Sequence, residues 1–205
     1  MMQSNKAART VKAVCAIAVF FAALTGAPAH AADSDYEFDA ATGTIAKYAG
    51  WDTELVIPAA IGGKPVTAIG NDAFKGADLT AVIIPGGVVT IGNSAFENNQ
   101  LTALAIPKSV TIIGRSAFRN NKLSAIALEQ GLRSIGELAF VGNQLTALVI
   151  PEGVTDLGSH AFSNNKLENV SLPASLLSVA NDAFGNSNAG DYKPRLGNPG
   201  GEHQP

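Results

Sequence analysis

The chain has 205 residues, 46% hydrophobic and 15% charged, the balance of a folded domain rather than of a disordered or membrane-embedded one. Its 14 basic and 17 acidic residues leave a formal net charge of −3, which argues against nucleic acid or anionic lipid as a partner held by bulk electrostatics. A single cysteine, Cys15, excludes a disulfide framework and a cysteine-ligated zinc site.

Residues 1–31 divide into a basic stretch with Lys6, Arg9 and Lys12, an apolar run from Val14 to about Leu24, and a small-residue exit, Ala29-His30-Ala31. That is the build of a secretory signal peptide. The apolar run is shorter than the ~20 residues a resident membrane helix needs, and Lys12-Ala13-Val14 before Cys15 does not look like a lipoprotein cleavage box. Cleavage removes three basic residues, so 11 basic residues face 17 acidic ones and the mature net charge is −6. The mature protein is expected to be secreted, extracellular or periplasmic, with no membrane insertion and no cysteine. Association with a cell surface stays open.

Residues 32–68 read as an N-terminal capping hairpin and an irregular first unit. Tyr36-Glu37-Phe38-Asp39 and Thr44-Ile45-Ala46-Lys47-Tyr48 flank a turn at residues 40–43. Leu55-Val56-Ile57-Pro58 follows as a strand ending, and Gly62-Gly63-Lys64-Pro65 is inserted as a surface turn.

Residues 69–186 are periodic. Phenylalanine recurs every 22 residues at Phe74, Phe96, Phe118, Phe140, Phe162 and Phe184. In step with it run a glycine column (Gly70, Gly92, Gly114, Gly136, Gly158) and a leucine column (Leu79, Leu101, Leu123, Leu145, Leu167). One unit reads I-G-x-x-A-F-x-x-N-x-L-x-x-L-x-I-P-x-x-V-x-x. Its L-x-x-L-x-I stretch alternates at period 2 near its end, as in Leu104 and Ile106, and marks a short strand with those side chains inward. The proline that follows (Pro85, Pro107, Pro151, Pro173; Glu129 in the third unit) ends the strand, because proline has no N–H to continue a ladder. The segment around Ser94-Ala95-Phe96 predicts a single helical or 3-10 turn with the ring plugging the interior. Asn99, Asn121, Asn143 and Asn165 form a column in which an amide can satisfy backbone groups at a tight bend. A unit this small cannot bury its apolar face alone, so the units must stack, with parallel strands ~4.8 Å apart. Residues 187–205, rich in Gly, Pro and Asn, read as a disordered tail.

These motifs resemble the BspA-like branch of bacterial leucine-rich repeats, in which I-G-x-x-A-F combines with L-x-x-L-x-I-P. Ile57-Pro58-Ala59-Ala60-Ile61-Gly62-Gly63-Lys64-Pro65-Val66-Thr67-Ala68-Ile69-Gly70 also looks like that family's first unit. The resemblance implies a leucine-rich-repeat solenoid of the α/β class, made mostly of short parallel strands with turns or short 3-10 or helical segments. It further implies a secreted or surface-exposed protein that acts by binding, in several members by adhesion to host proteins or to other cells, and performs no chemistry. Two departures stand out. The asparagine precedes the strand, whereas the commoner leucine-rich pattern places it after, and no anchoring or partner domain is visible.

Residues suited to catalysis are scarce. His30 lies in the leader and His203 in the tail, which leaves His160, in a variable column with Asp72, Ser94, Ser116, Leu138 and Asp182 that reads as an exposed turn. Glu97, Glu129, Glu137, Glu152, Asp156 and Glu168 fall in different columns, so the stack alone predicts no carboxylate pair, although neighbouring units can bring two together. There is no H-E-x-x-H, phosphate loop or calcium-loop spacing. The expectation is a monomeric protein that is not an enzyme, needs no cofactor or metal, and binds a protein or glycan partner; the alternative is an envelope scaffold without a dedicated ligand.

The candidate binding face is the outward strip of the leucine strands: Ala81 and Ile83, Ala103 and Ala105, Ala125 and Ala127, Ala147 and Val149, Asn169 and Ser171, flanked by Thr80, Thr102, Ser124, Thr146 and Glu168. Stacked strands are expected to form the only laterally continuous surface, with short turns opposite. Alanine there either fits closely spaced strands or leaves a weakly apolar patch of the kind that marks an interaction site. Mass spectrometry of the exported protein should find a mature N-terminus at Ala32, since Ala29 and Ala31 supply the small residues that signal peptidase reads; an N-terminus upstream of Val14 would overturn the secretory reading.

Overall fold

The computed structural model describes residues 31–180 and 182–187. The expected leader, apart from Ala31, and the expected tail, apart from Ser187, lie outside the described residues.

Each unit makes one coil, and each coil contributes a strand to two sides of the stack. On the leucine side the strands Glu54–Val56, Ala81–Ile83, Ala103–Ile106, Ala125–Leu128, Ala147–Val149 and Asn169–Ser171 follow one another. They pair in parallel in three two-stranded ladders, with Leu104 opposite Ile126, Leu148 opposite Val170 and Leu55 opposite Val82. Leu104 and Ile106 are buried, as their alternation implies, and so are Leu148 and Ile150.

A second side differs from expectation. Two-residue strands at Ala68–Ile69, Thr90–Ile91, Ile112–Ile113, Ser134–Ile135, Asp156–Leu157 and Ser178–Val179 form one eight-stranded sheet with the N-terminal hairpin Tyr36–Asp39 and Thr44–Tyr48. The continuous hydrogen-bonded ladder is therefore this sheet and not the leucine strands, which pair only two by two. A strand of two residues is too short to show period-2 alternation, so nothing in the local pattern distinguishes it from a turn.

The phenylalanine turns hold no helix either. Among the described residues the only helical segment is a 3-10 turn at Asp33–Asp35. At Ser94-Ala95-Phe96 the donors leave the coil: Ser94 N–H donates to Arg115 O at 2.8 Å, Phe96 N–H to Ala117 O at 2.7 Å and Asn98 N–H to Arg119 O at 2.9 Å. Ser94 (φ 53°) and Asn98 (φ 58°) adopt the left-handed conformation that breaks a helical run and swings alternate N–H groups onto the next coil. The local turn that the short spacing suggests is present, with Ala95 N–H donating to Gly92 O at 3.4 Å and Glu97 N–H to Ser94 O at 3.1 Å, while the alternate N–H groups bond to the next coil.

Inside, the columns become ladders. The Phe74, Phe96, Phe118, Phe140 and Phe162 rings are fully buried and stack with centroids 5.0 to 5.2 Å apart, within the range of favourable offset stacking. Tyr48 continues the ladder at 5.4 Å from Phe74, and Tyr36 lies tilted against it at 5.4 Å and edge-on to Phe74 at 6.5 Å, so the hairpin closes the N-terminal end with two aromatic rings. Beside the rings, Asn121 Nδ2 donates to Phe96 O (2.9 Å) and Phe118 O (3.2 Å) while its Oδ1 accepts from Leu101 N–H (3.1 Å). Asn99, Asn143 and Asn165 repeat this. Each amide thus satisfies buried backbone groups of two coils, groups that are costly to leave unpaired. The glycine column has a steric cause: a Cβ on Gly114 would stand 2.7 Å from Gly92 C and 2.8 Å from Asn93 N.

Replacing Phe118 with alanine removes one ring from the middle of the ladder and should destabilise the protein by about 3 to 5 kcal/mol, the usual range for a buried phenylalanine. Phe184→Ala should cost less, because Phe184 lies 6.0 Å from Phe162 in a coil that carries Val179-Ala180 in place of Ile-Gly. Equal losses in denaturant titrations would contradict nearest-neighbour stacking.

Candidate functional site

Parallel register arranges the expected strip in two columns. Ala103 stands opposite Ala125 and Ala105 opposite Ala127; Ala147 opposite Asn169 and Val149 opposite Ser171. Both columns begin earlier than the 22-residue period indicates, with Glu54 opposite Ala81 and Val56 opposite Ile83. The first unit is the irregular one read from Leu55-Val56-Ile57-Pro58, but its outward Glu54 and Val56 fall outside the 22-residue columns because the Gly62-Gly63 insertion offsets them: Thr80 Oγ1 bonds Thr53 O across 27 residues. That insertion folds as a small hairpin, Ala60–Ile61 against Lys64–Pro65, turned by two left-handed glycines.

Exposure along the strip is uneven. Ala105, Asn169 and Ser171 are exposed, and Ala81, Ile83, Ala103, Ala127, Ala147 and Val149 are half-buried. Ala125 is buried at 8%, so the centre of that column is closed by its neighbours and does not face a partner. The flanking Thr80, Thr102, Ser124, Thr146 and Glu168 are exposed. The strip thus begins on an exposed acid, Glu54, continues apolar through Val56 and Ile83, is small-sided in the middle and polar at Asn169 and Ser171.

The turn side carries the charges. Lys75 Nζ lies 3.1 Å from Glu97 and 3.3 Å from Asp72, and Arg119 lies 3.7 Å from Glu97. Glu97, although 8% exposed, is thereby flanked by two cations. His160 belongs to a cluster that no single column shows. Its Nε2 is 2.8 Å from Asp182 Oδ2 and its Nδ1 3.2 Å from Ser163 Oγ, while Ser159 Oγ donates to Asp182 Oδ1 at 3.0 Å. Ser163 is buried and its hydroxyl donates to Asp182 O at 2.8 Å, so that oxygen is a fastening point for the last coil and not an open nucleophile. Among the described residues no group of three or more His, Cys, Asp or Glu is placed to hold a metal, and no helix is long and apolar enough to cross a membrane.

Residues 67–190 match the BspA type leucine rich repeat region in six copies. The chain belongs to that family. Among solved structures, it is similar to a leucine-rich repeat protein from Bacteroides ovatus, with 38% identity and a TM-score of 0.60 over 69% of this chain and 40% of that one. The pneumococcal vaccine antigen PcpA is 27% identical with a TM-score of 0.51, over 58% of this chain and 30% of that one. The T. pallidum leucine rich repeat protein, at 24% identity and a TM-score of 0.56 over 71% and 72% of the two chains, shares the fold. The chain therefore spans less than half the length of the first two. No curated protein matches it.

In this BspA-type solenoid the Asp182 carboxyl is held below the usual carboxylate range, first by the Ser159 hydroxyl and further by His160. A carboxyl lowered in the folded state contributes stability that is present above its unfolded value of about 3.9 and is lost as pH falls through the folded value. Acidification below about pH 4 should therefore loosen the last coil first. Amide exchange should accelerate at Phe162 and Asn164, which donate to Ala183 O at 2.8 Å and Gly185 O at 2.9 Å, relative to Phe118 and Asn120, which make the same bonds in the middle. A uniform acceleration across all four would show that Asp182 does not hold the end.

Proposed function

We propose that this chain is a secreted or surface-exposed bacterial repeat protein that binds another protein, on a host or a neighbouring cell, through the leucine-side strip, and that it performs no chemistry. The observation that carries this reading is the outward face of three in-register strand pairs, from Glu54 and Val56 beside Ala81 and Ile83, through Ala103 and Ala105 beside Ala125 and Ala127, to Ala147 and Val149 beside Asn169 and Ser171. A rigid stack presents it, its side chains are short, and a partner's surface can approach closely without displacing charge. The leader pattern of residues 1–31 supports export, and the pneumococcal relative is an antigen by its own description. Family membership supports binding as the mode of action, since these repeats supply an extended surface.

Ala105→Arg with Ala127→Arg tests the face. Ala105 is exposed and Ala127 half-buried, so the arginines project outward, whereas arginine at the buried Ala125 would disturb stacking itself. The two arginines stand opposite one another and repel, so the double variant should unfold cooperatively at a slightly lower temperature than wild type, run as a monomer in gel filtration and lose a partner identified by affinity capture with the wild-type protein. Retention of full affinity would place the binding face elsewhere. Self-association of the wild-type protein without a ligand would favour an envelope scaffold.

A further inference from the structure

Trp51, the only tryptophan in the chain, is 94% exposed. An indole that contributes nothing to the core is uncommon beside a ladder that, among the described residues, takes every aromatic ring but Phe38 and Trp51. It does not sit on a loose segment. Ala49 N–H donates to Asp35 O at 2.8 Å, Asp52 N–H donates to Tyr48 Oη at 3.1 Å, and Thr53 O accepts from both Thr80 N–H (2.7 Å) and Thr80 Oγ1 (3.1 Å). The backbone on either side of Trp51 is therefore fastened, and the ring is presented in advance, which lowers the ordering cost of binding. The other exposed large apolar side chains, Val89, Ile112 and Leu177, lie on or beside the eight-stranded sheet, away from the leucine side.

The position is the N-terminal corner of the strip. Trp51 stands two residues before Thr53, as Asp78 stands two residues before its bonded partner Thr80, and Glu54 begins the outward column beside Ala81. Glu54 and Asp78 are exposed, and among the described residues neither they nor Asp52 join an ion pair. The neighbouring cations Lys47 and Lys75 are already engaged, by Glu37 and by Asp72 and Glu97. Further along, the corner column of Asp78 becomes Gln100, Lys122, Gln144 and Lys166, so its sign reverses beyond the first two coils, and the next exposed acid flanking the strip is Glu168 at its far end. Burial first, then Tyr48, then Asp35, Asp52 and Asp33 push the Tyr36 hydroxyl far above its ordinary range, and burial with Asp52 and Asp35 raises that of Tyr48.

We propose that Trp51 anchors the binding face and takes an arginine or lysine side chain of a partner polypeptide, stacked on the indole and neutralised by Glu54 and Asp78. This rests on the reading of the leucine side as a protein-binding face and specifies the partner as a cationic segment. A cation on an indole face gains from the ring quadrupole, and exposed tryptophans are the residues on which interface energy concentrates.

Because Trp51 is the sole tryptophan, its fluorescence reports on this corner alone. The full chain is titrated with a hexapeptide of alternating arginine and serine, with its glutamate-and-serine counterpart, and with cellohexaose. The arginine peptide should shift the emission to shorter wavelength saturably, less so as salt is raised, and the other two should not. By calorimetry, Trp51→Ala should weaken the arginine peptide about tenfold, and Glu54→Gln with Asp78→Asn should weaken it comparably, while Glu129→Gln with Glu152→Gln should leave it unchanged. Absence of saturation, an equal response to either control ligand, or unaltered affinity in Trp51→Ala would overturn the proposal. If the Ala105→Arg and Ala127→Arg variant loses the captured partner while Trp51→Ala retains it, the strip is the binding face and Trp51 is not its anchor.

Discussion

Backbone hydrogen bonding between successive coils is the constraint on which the rest of this molecule depends. Once N–H and C=O groups pair across coils on the sheet sides and at the turns, consecutive coils are held at about one strand spacing, ~4.8 Å. Every side chain then faces a copy of its own position, one coil above and one below, and must be able to stack on it. Phenylalanine does so as nearly parallel rings, with interplanar angles of 2° to 11°, and asparagine by bridging the carbonyls of two coils. Glycine at the I-G corner leaves the room that a Cβ would take. Stability is additive along the stack for the same reason, since each coil touches only its neighbours.

The columns were legible because stacking writes itself into sequence as a strict period. Phe74 to Phe184, Asn99 to Asn165 and Gly70 to Gly158 announce a solenoid with no further information. What the period could not convey is where the backbone bonds go. Ser94-Ala95-Phe96 has the length of a helical turn, yet its donors cross to Arg115 and Ala117, and that choice depends on a neighbouring coil and not on local propensity. Ile112–Ile113 is too short to alternate, so the eight-stranded sheet to which it belongs was invisible. On the strip, alternation identified the outward positions, but solvent access depends on neighbours: Ala105 is exposed while Ala125, one coil along and two residues back, is covered.

The stack also decides what kind of function the molecule can carry. A column that must tolerate its own copy at ~4.8 Å disfavours isolated charges, because like charges repel at that separation. The charged columns accordingly alternate: Lys75, Glu97 and Arg119 in one, Arg115 and Glu137 in another. Such pairs gather on the turn side, and the leucine-side columns carry only small, uncharged side chains in their middle, a surface suited to recognition.

A residue that serves function alone is most easily accommodated where the period lapses. Within the regular coils a tryptophan would have to stack on its copies or be matched by compensating residues in two neighbours. The first coil escapes this, since the Gly62-Gly63 hairpin lengthens it and the antiparallel Tyr36–Asp39 and Thr44–Tyr48 pair closes the end above it. The linking segment from Ala49 to Thr53 has no counterpart above, so Trp51 can be selected for what it meets in solution and not for what it must pack against. The same irregularity that hid this coil from a search for 22-residue columns is what frees its outward residues to specialise, and the acidic neighbours Glu54 and Asp78 occur at that one end of the strip.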